Sequence, residues 1–162
     1  MSKAVYAGTF DPITNGHLDI AIRASKLFDE IVIAVAEDNN KQTLFSAAER
    51  CRLVKQATAM LTNVTVDSFF GLLVDYCKAR EAGFIVRGLR VVLDFEKELQ
   101  MALMNRSLYD KVDTVFLMGE APYLFVSSSL VKNAAQLGGD ISDLVPPGVA
   151  EALGHKFAQK RG

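Results

Sequence analysis

The chain has 162 residues, half of them hydrophobic and 23% charged, which suits one globular domain with a sizeable buried core. Its 18 basic and 19 acidic side chains leave a net charge of −1, so no overall attraction draws it to nucleic acid or an anionic membrane, although a local basic site stays open. No apolar run is long enough to span a bilayer.

The first apolar stretch, KAVYAG (3–8), predicts a strand, and no signal-peptide core precedes it. Next comes GTFDPITNGH (8–17). Gly8 permits a tight turn, Pro12 biases Asp11 to an extended shape, and Thr14 or Asn15 suits a helix cap. A helix is expected over 16–28, with Leu18, Ala21, Ile22 and Ser25 as its inward face and Asp19, Arg23 and Lys26 off it. His17 then falls in the first helical turn, where unpaired N–H groups and the positive dipole end suit a phosphate. Its ring N–H and the Thr9 hydroxyl are candidate donors; the alternative is an ordinary capping or surface histidine.

EIVIAVA (30–36) predicts a second strand, followed by a polar loop carrying Lys41, which by itself reads as a solvated lysine. The helix expected over 46–60 opens with SAAE, the pattern of a capping box. NVTVDSF (63–69) and GFIVRG (83–88) predict the third and fourth strands. Arg87 and Arg90, in VRGLR, stand where the fourth strand ends, and guanidinium groups bind phosphate through paired N–H bonds. A pair of solvated arginines is the plainer alternative.

A long helix is expected over 92–108, and DTVFLMG (113–119) predicts the fifth strand. VSSSLVK (126–132) leads into a helix over 128–137; one serine suffices for a cap, and three offer a phosphate cradle. A last helix covers 147–159, and KFAQKRG (156–162) reads as a fraying basic tail. His155 reads as surface. Cys51 and Cys77 have no CxxC spacing and predict reduced, buried thiols in a cytoplasmic protein.

The β-α-β-α alternation, without repeat or linker, predicts an α/β fold: one doubly wound, Rossmann-like domain over 1–162 with a five-stranded parallel sheet. Ligands in such folds bind beyond the carboxyl ends of the strands, which singles out 8–17, 87–90 and 119–129. GxGxxG after the first strand and GxxxxGK[ST] are both absent, which excludes the usual dinucleotide fingerprint and the P-loop.

GTFDPITNGH, RGLR and SSSLVK, in this order and spacing, resemble the bacterial phosphopantetheine adenylyltransferase family of the nucleotidyltransferase superfamily. TNGH (14–17) is similar to the superfamily's T/HxGH signature. The resemblance implies transfer of the adenylyl group of ATP to 4′-phosphopantetheine, giving dephospho-coenzyme A and pyrophosphate with Mg²⁺, in a homohexamer. It implies that Thr9 and His17 contact the α-phosphate, His17 as transition-state stabiliser. Phe10, Gly88, Leu89, Arg90 and Glu98 would border ATP, as would Tyr123, Leu124, Phe125, Val126, Ser127, Ser128 and Ser129. Thr9, Lys41, Leu73 and Arg87 would bind the phosphopantetheine side, where coenzyme A also fits. No side chain is expected to ligate metal on the strength of the sequence. On its own, Glu98 reads as an exposed helix acid.

Two departures stand out: Ala7 where relatives commonly have proline, and GEAPYLF (119–125), with Tyr123 where tryptophan is frequent. The apolar helix around Met101, Leu103 and Met104 fits either a subunit contact or core packing. The nearest alternatives are a nucleotidyltransferase acting on nicotinamide mononucleotide or a glycerol phosphate, and a nucleotide-binding sensor without turnover.

Overall fold

The computed structural model describes residues 1–38 and 40–161, apart from the side chains of residues 93, 160 and 161. Among these residues the chain alternates strands and helices: β1 (Lys3–Gly8), α1 (Asn15–Leu27), β2 (Glu30–Glu37), α2 (Ala47–Ala57), β3 (Val64–Phe70), α3 (Leu73–Ala79), β4 (Phe84–Leu89), α4 (Val92–Leu108), β5 (Asp113–Met118), α5 (Ser128–Gln136) and α6 (Pro147–Arg161). All strand pairings are parallel, in the order β3-β2-β1-β4-β5. The order reverses between β1 and β4, so the crevice above those two strands is the topological switch point.

β1 shows why both sheet faces are apolar. Ala4 and Tyr6 enter one core with Ile20, Val86 and Leu153, whereas Val5 and Ala7 enter the other with Val74, Cys77 and Ile85. Side chains alternate along a strand, so a doubly covered strand must be apolar at nearly every position.

The elements of the fold depart from the sequence reading in several places. The inward face of α1 is carried by Ile20, Ala21 and Ala24, not by the stripe through Leu18, Ile22 and Ser25. His17, Ile20, Ala21 and Ala24 share the i, i+3, i+4, i+7 spacing, so the same helix period holds with a shifted phase. The short helix α3 was not anticipated; its N-cap, Leu72, makes no side-chain cap bond, so no capping residue marks its start. The tail expected to fray is helical through Arg161, with Phe157 buried and Lys156 paired to Glu49 at 2.9 Å. Gly162 lies outside the described residues. Finally, Met101, Leu103 and Met104 are 52%, 61% and 57% exposed, which rules out core packing as their role in this chain.

Cys77 is buried and Cys51 half-buried, both as free thiols. Burial pushes both thiols up, Cys77 to about 11. Among the described residues no helix is long and apolar enough to cross a membrane.

Candidate active site

Thr14 caps α1 from an extended backbone, and its hydroxyl accepts the His17 N–H at 3.3 Å. His17 completes the capping box in place of the usual Glu or Gln, because its Nδ1 accepts the Thr14 backbone N–H at 3.0 Å. This bond sets the tautomer. With Nδ1 as acceptor, a neutral imidazole carries its proton on Nε2, and that N–H is what the ring can offer to a ligand. Burial, with Arg90 and Arg87 adding repulsion, holds the His17 pKa down at about 4. The ring is therefore neutral near pH 7, a donor without charge.

Phe10 is 2% exposed and adopts a left-handed backbone, with φ 49°. Its ring packs edge-on against Tyr6 at 5.3 Å and His17 at 5.1 Å, so it buttresses the histidine. An added Cβ on Gly8 would come within 3.1 Å of that ring. At the end of β4, Gly88 lies against Ile20 of α1, and a Cβ there would approach Cγ1 to 3.0 Å. This close helix–strand packing explains the glycine in RGLR.

Arg87 is not a free cation. Its Nε and Nη2 donate to the two carboxylate oxygens of Glu98, each at 2.6 Å, and its Nη1 donates to the Ala7 carbonyl at 2.6 Å. Three of its five N–H donors are thus engaged. The Glu98 hydrogen bonds hold the Arg87 pKa above its ordinary value. Glu98 is correspondingly not an exposed acid: its side chain is 16% exposed. Arg90 donates to Asp94 at 3.2 Å and to the Val126 carbonyl at 3.1 Å, tying the end of β4 to the serine segment. There, the Ser127 hydroxyl caps α5 by accepting the Leu130 N–H at 3.1 Å, and Ser128 Oγ donates to the Pro12 carbonyl at 2.7 Å.

These segments enclose one cleft of about 310 Å³ above β1 and β4. Its wall includes Thr9, Phe10, Thr14 and His17 from the first turn, Arg87, Gly88, Leu89 and Arg90 from β4 and beyond, Asp94 and Glu98 from α4, and Tyr123, Val126, Ser127 and Ser128. A smaller cavity of about 100 Å³ adjoins it through Arg87 and Glu98, lined also by Leu73, Met101 and Asn105. Neutral and cationic donors thus meet at the switch point, where phosphates are held in this class of fold.

A cytidylyltransferase-like family model matches residues 5–134. Phosphopantetheine adenylyltransferase of Moorella thermoacetica is 56% identical over 94% of this chain and 96% of its own. That of Heliobacterium modesticaldum is 50% identical over 97% of this chain and 94% of its own. The chain belongs to the phosphopantetheine adenylyltransferase family. A nicotinate-nucleotide adenylyltransferase candidate from Vibrio parahaemolyticus superposes with a TM-score of 0.67 over 94% of this chain and 91% of that one; at 19% identity it shows the shared fold.

For a member of this adenylyltransferase family, most of the expected site residues converge. Leu73 reaches the adjoining cavity rather than the main cleft. Lys41 is exposed in the loop after β2, and Leu124, Phe125 and Ser129 also lie outside the cleft wall. Sequence reasoning missed Asp94, which lines the cleft, and the residues that brace it from behind. Arg50 of α2, buried, donates to the carbonyls of Thr9 at 2.8 Å, Ala36 at 2.8 Å and Phe45 at 3.2 Å. Asp11 and Lys132 form a further brace at 2.7 Å. Both stand inside motifs singled out above, but nothing in either motif pairs residues so far apart.

Proposed function

We propose that this cleft transfers the adenylyl group of ATP to 4′-phosphopantetheine, releasing pyrophosphate and giving dephospho-coenzyme A. The observation that carries the reading is the meeting of the His17 turn, the RGLR strand end and the α5 serines around one cleft at the switch point. The acceptor's phosphate is already an anionic nucleophile, so a proton-abstracting base is unnecessary. An in-line displacement at the α-phosphorus then needs alignment of two polyanions and donors for the charge that shifts onto the phosphoryl oxygens and pyrophosphate.

His17 Nε2–H and the Thr9 hydroxyl serve the α-phosphate in this reading. Ser127, Ser128 and Arg90 face the rest of the triphosphate, and Tyr123 and Val126 flank the nucleotide. Arg87 keeps two N–H groups for the acceptor phosphate while Glu98 fixes its plane. Leu73 in the adjoining cavity suits the apolar pantetheine arm. Lys41 serves the acceptor phosphate from its exposed loop.

Mg²⁺ is held in this proposal by phosphate oxygens and water. Among the described residues no three His, Cys, Asp or Glu side chains cluster to cage a metal, and Mg²⁺ commonly binds through substrate phosphates. When bound it neutralises charge on the triphosphate. The exposed apolar face of α4, with Met101, Leu103 and Met104, supports assembly into a homohexamer, and reduced thiols fit the cytoplasm.

Pyrophosphate release measured with ATP and a panel of acceptors tests the reaction. Turnover with phosphopantetheine is expected; turnover with nicotinamide mononucleotide alone would overturn it. Sedimentation of the purified protein tests the hexamer, which a monomer would refute.

A further inference from the structure

Asp11 is a buried carboxylate behind the cleft, and three donors from two other segments converge on it. Oδ1 accepts the Phe45 N–H at 2.9 Å; Oδ2 accepts the Leu44 N–H at 2.9 Å and the Lys132 ammonium at 2.7 Å. Neither Asp11 nor Lys132 lines the cleft. Lys132 stands four residues beyond Ser128, so the two share one face of α5. That face grips consecutive residues of the first turn: Ser128 takes the Pro12 carbonyl and Lys132 takes the Asp11 carboxylate.

The turn needs such restraint. Phe10, next to Asp11, has φ 49°, a left-handed conformation that a bulky L-residue rarely adopts unless its surroundings impose it. Thr9 and His17, the donors for the α-phosphate in the reading above, lie on either side of it. The Leu44–Phe45 segment that binds Asp11 follows the Lys41 loop, so one carboxylate joins the turn, α5 and the acceptor-side loop.

We infer that the Asp11–Lys132 ion pair is the positioning device that fixes the first turn against α5, and that Lys132, despite its place behind the phosphate-binding serines, acts through Asp11 and not as a phosphate ligand. Lys132 is therefore a positioning residue for adenylyl transfer, an inference that rests on the reaction assigned above. Its loss leaves the cleft's donors present but misplaced, and a displacement of about 1 Å costs about 10²-fold in rate.

Kinetics of Lys132→Met, Lys132→Arg, Asp11→Asn and the double variant Asp11→Asn/Lys132→Met test it. Lys132→Met should lose about 10²-fold in kcat while KM for ATP stays within about threefold. Lys132→Arg should recover most of the loss, and the double variant should be no slower than the worse single one, because the pair acts as a unit. A raised KM for ATP with kcat intact would make Lys132 a phosphate ligand and overturn the inference, as would multiplicative losses in the double variant or an unchanged kcat. A second measurement needs no variant: reductive methylation of the wild-type protein, read by mass spectrometry. Equal labelling of Lys132 with and without ATP is expected, and protection by ATP would refute the inference even if the variants do not fold. Wild-type protein that turns over no phosphopantetheine would defeat the assigned reaction, while the methylation result would still decide how Lys132 is used.

Discussion

Lowering the pH probes His17 directly. Its pKa is moved from 6.5 to about 4 by burial first and by Arg90 and Arg87 second, a displacement worth about 3 kcal/mol at 1.36 kcal/mol per unit. The hydrogen bond from the Thr14 N–H to Nδ1 acts in the same direction, since a protonated ring would set N–H against N–H. In the unfolded chain His17 takes up its proton near 6.5; in the folded chain it stays neutral to about 4. Between those values the unfolded state binds more protons, so the fold loses stability as pH falls from about 6.5 to about 4 and keeps the full contribution above 6.5. The assay is an NMR titration of the imidazole resonances in His155→Gln, which leaves a single histidine. Urea denaturation at pH 7.5 and pH 5, compared with His17→Gln, should show an additional wild-type loss approaching 2 kcal/mol, on the order of the linkage above. A ring that protonates at 6.5 or higher in the free protein would refute both the neutral-donor assignment and the tautomer.

His17→Ala should lower kcat by about 10²–10³ through loss of the Nε2–H donor, and stability by about 1 kcal/mol through loss of the cap, read from kinetics and the urea midpoint respectively. Arg87→Ala should raise KM for phosphopantetheine about tenfold or more, since a charge-assisted anchor is lost; a change confined to KM for ATP would contradict the acceptor role. Arg50→Met should cost about 3 kcal/mol, because it strips donors from the Thr9, Ala36 and Phe45 carbonyls around a buried side chain; near wild-type urea stability would refute the bracing role.

The strands were legible because each is a short, largely apolar run bounded by turn residues, and because the central strands β1 and β2 are buried along most of their length. The second helix was legible from its cap: Ser46 and Glu49 form the capping box that SAAE suggests. The phase of α1 was not, because Leu18 and Ile22 form as apolar a stripe as Ile20 and Ala24, and which stripe faces inward depends on the sheet it meets. The place of His17 in the first turn of a helix was legible, because TNGH sets a capping threonine three positions before it. That its ring accepts the Thr14 N–H depends on an orientation that spacing does not determine. Glu98 was misread as exposed because a carboxylate in α4 carries no local mark of the arginine on β4 that it meets.

That pairing also alters the electrostatic picture. A strongly basic pocket within a neutral chain would explain how polyanions bind a protein of net charge −1, but the cleft is not strongly basic. Its arginines, Arg87 and Arg90, each hold a resident carboxylate, Glu98 and Asp94, and His17 is neutral. Lys132 behind the cleft is matched by Asp11. With these three cations partly neutralised, long-range attraction from the cleft itself contributes little, and recognition there must come from directed N–H and O–H groups at short range. Such donors favour charge where it develops, on the phosphoryl oxygens and the leaving pyrophosphate, over charge already spread across a free nucleotide. Carboxylates that restrain the arginines would then serve catalysis twice: they hold each guanidinium plane in place, and they temper ground-state attraction to both polyanionic substrates and to a product that must leave.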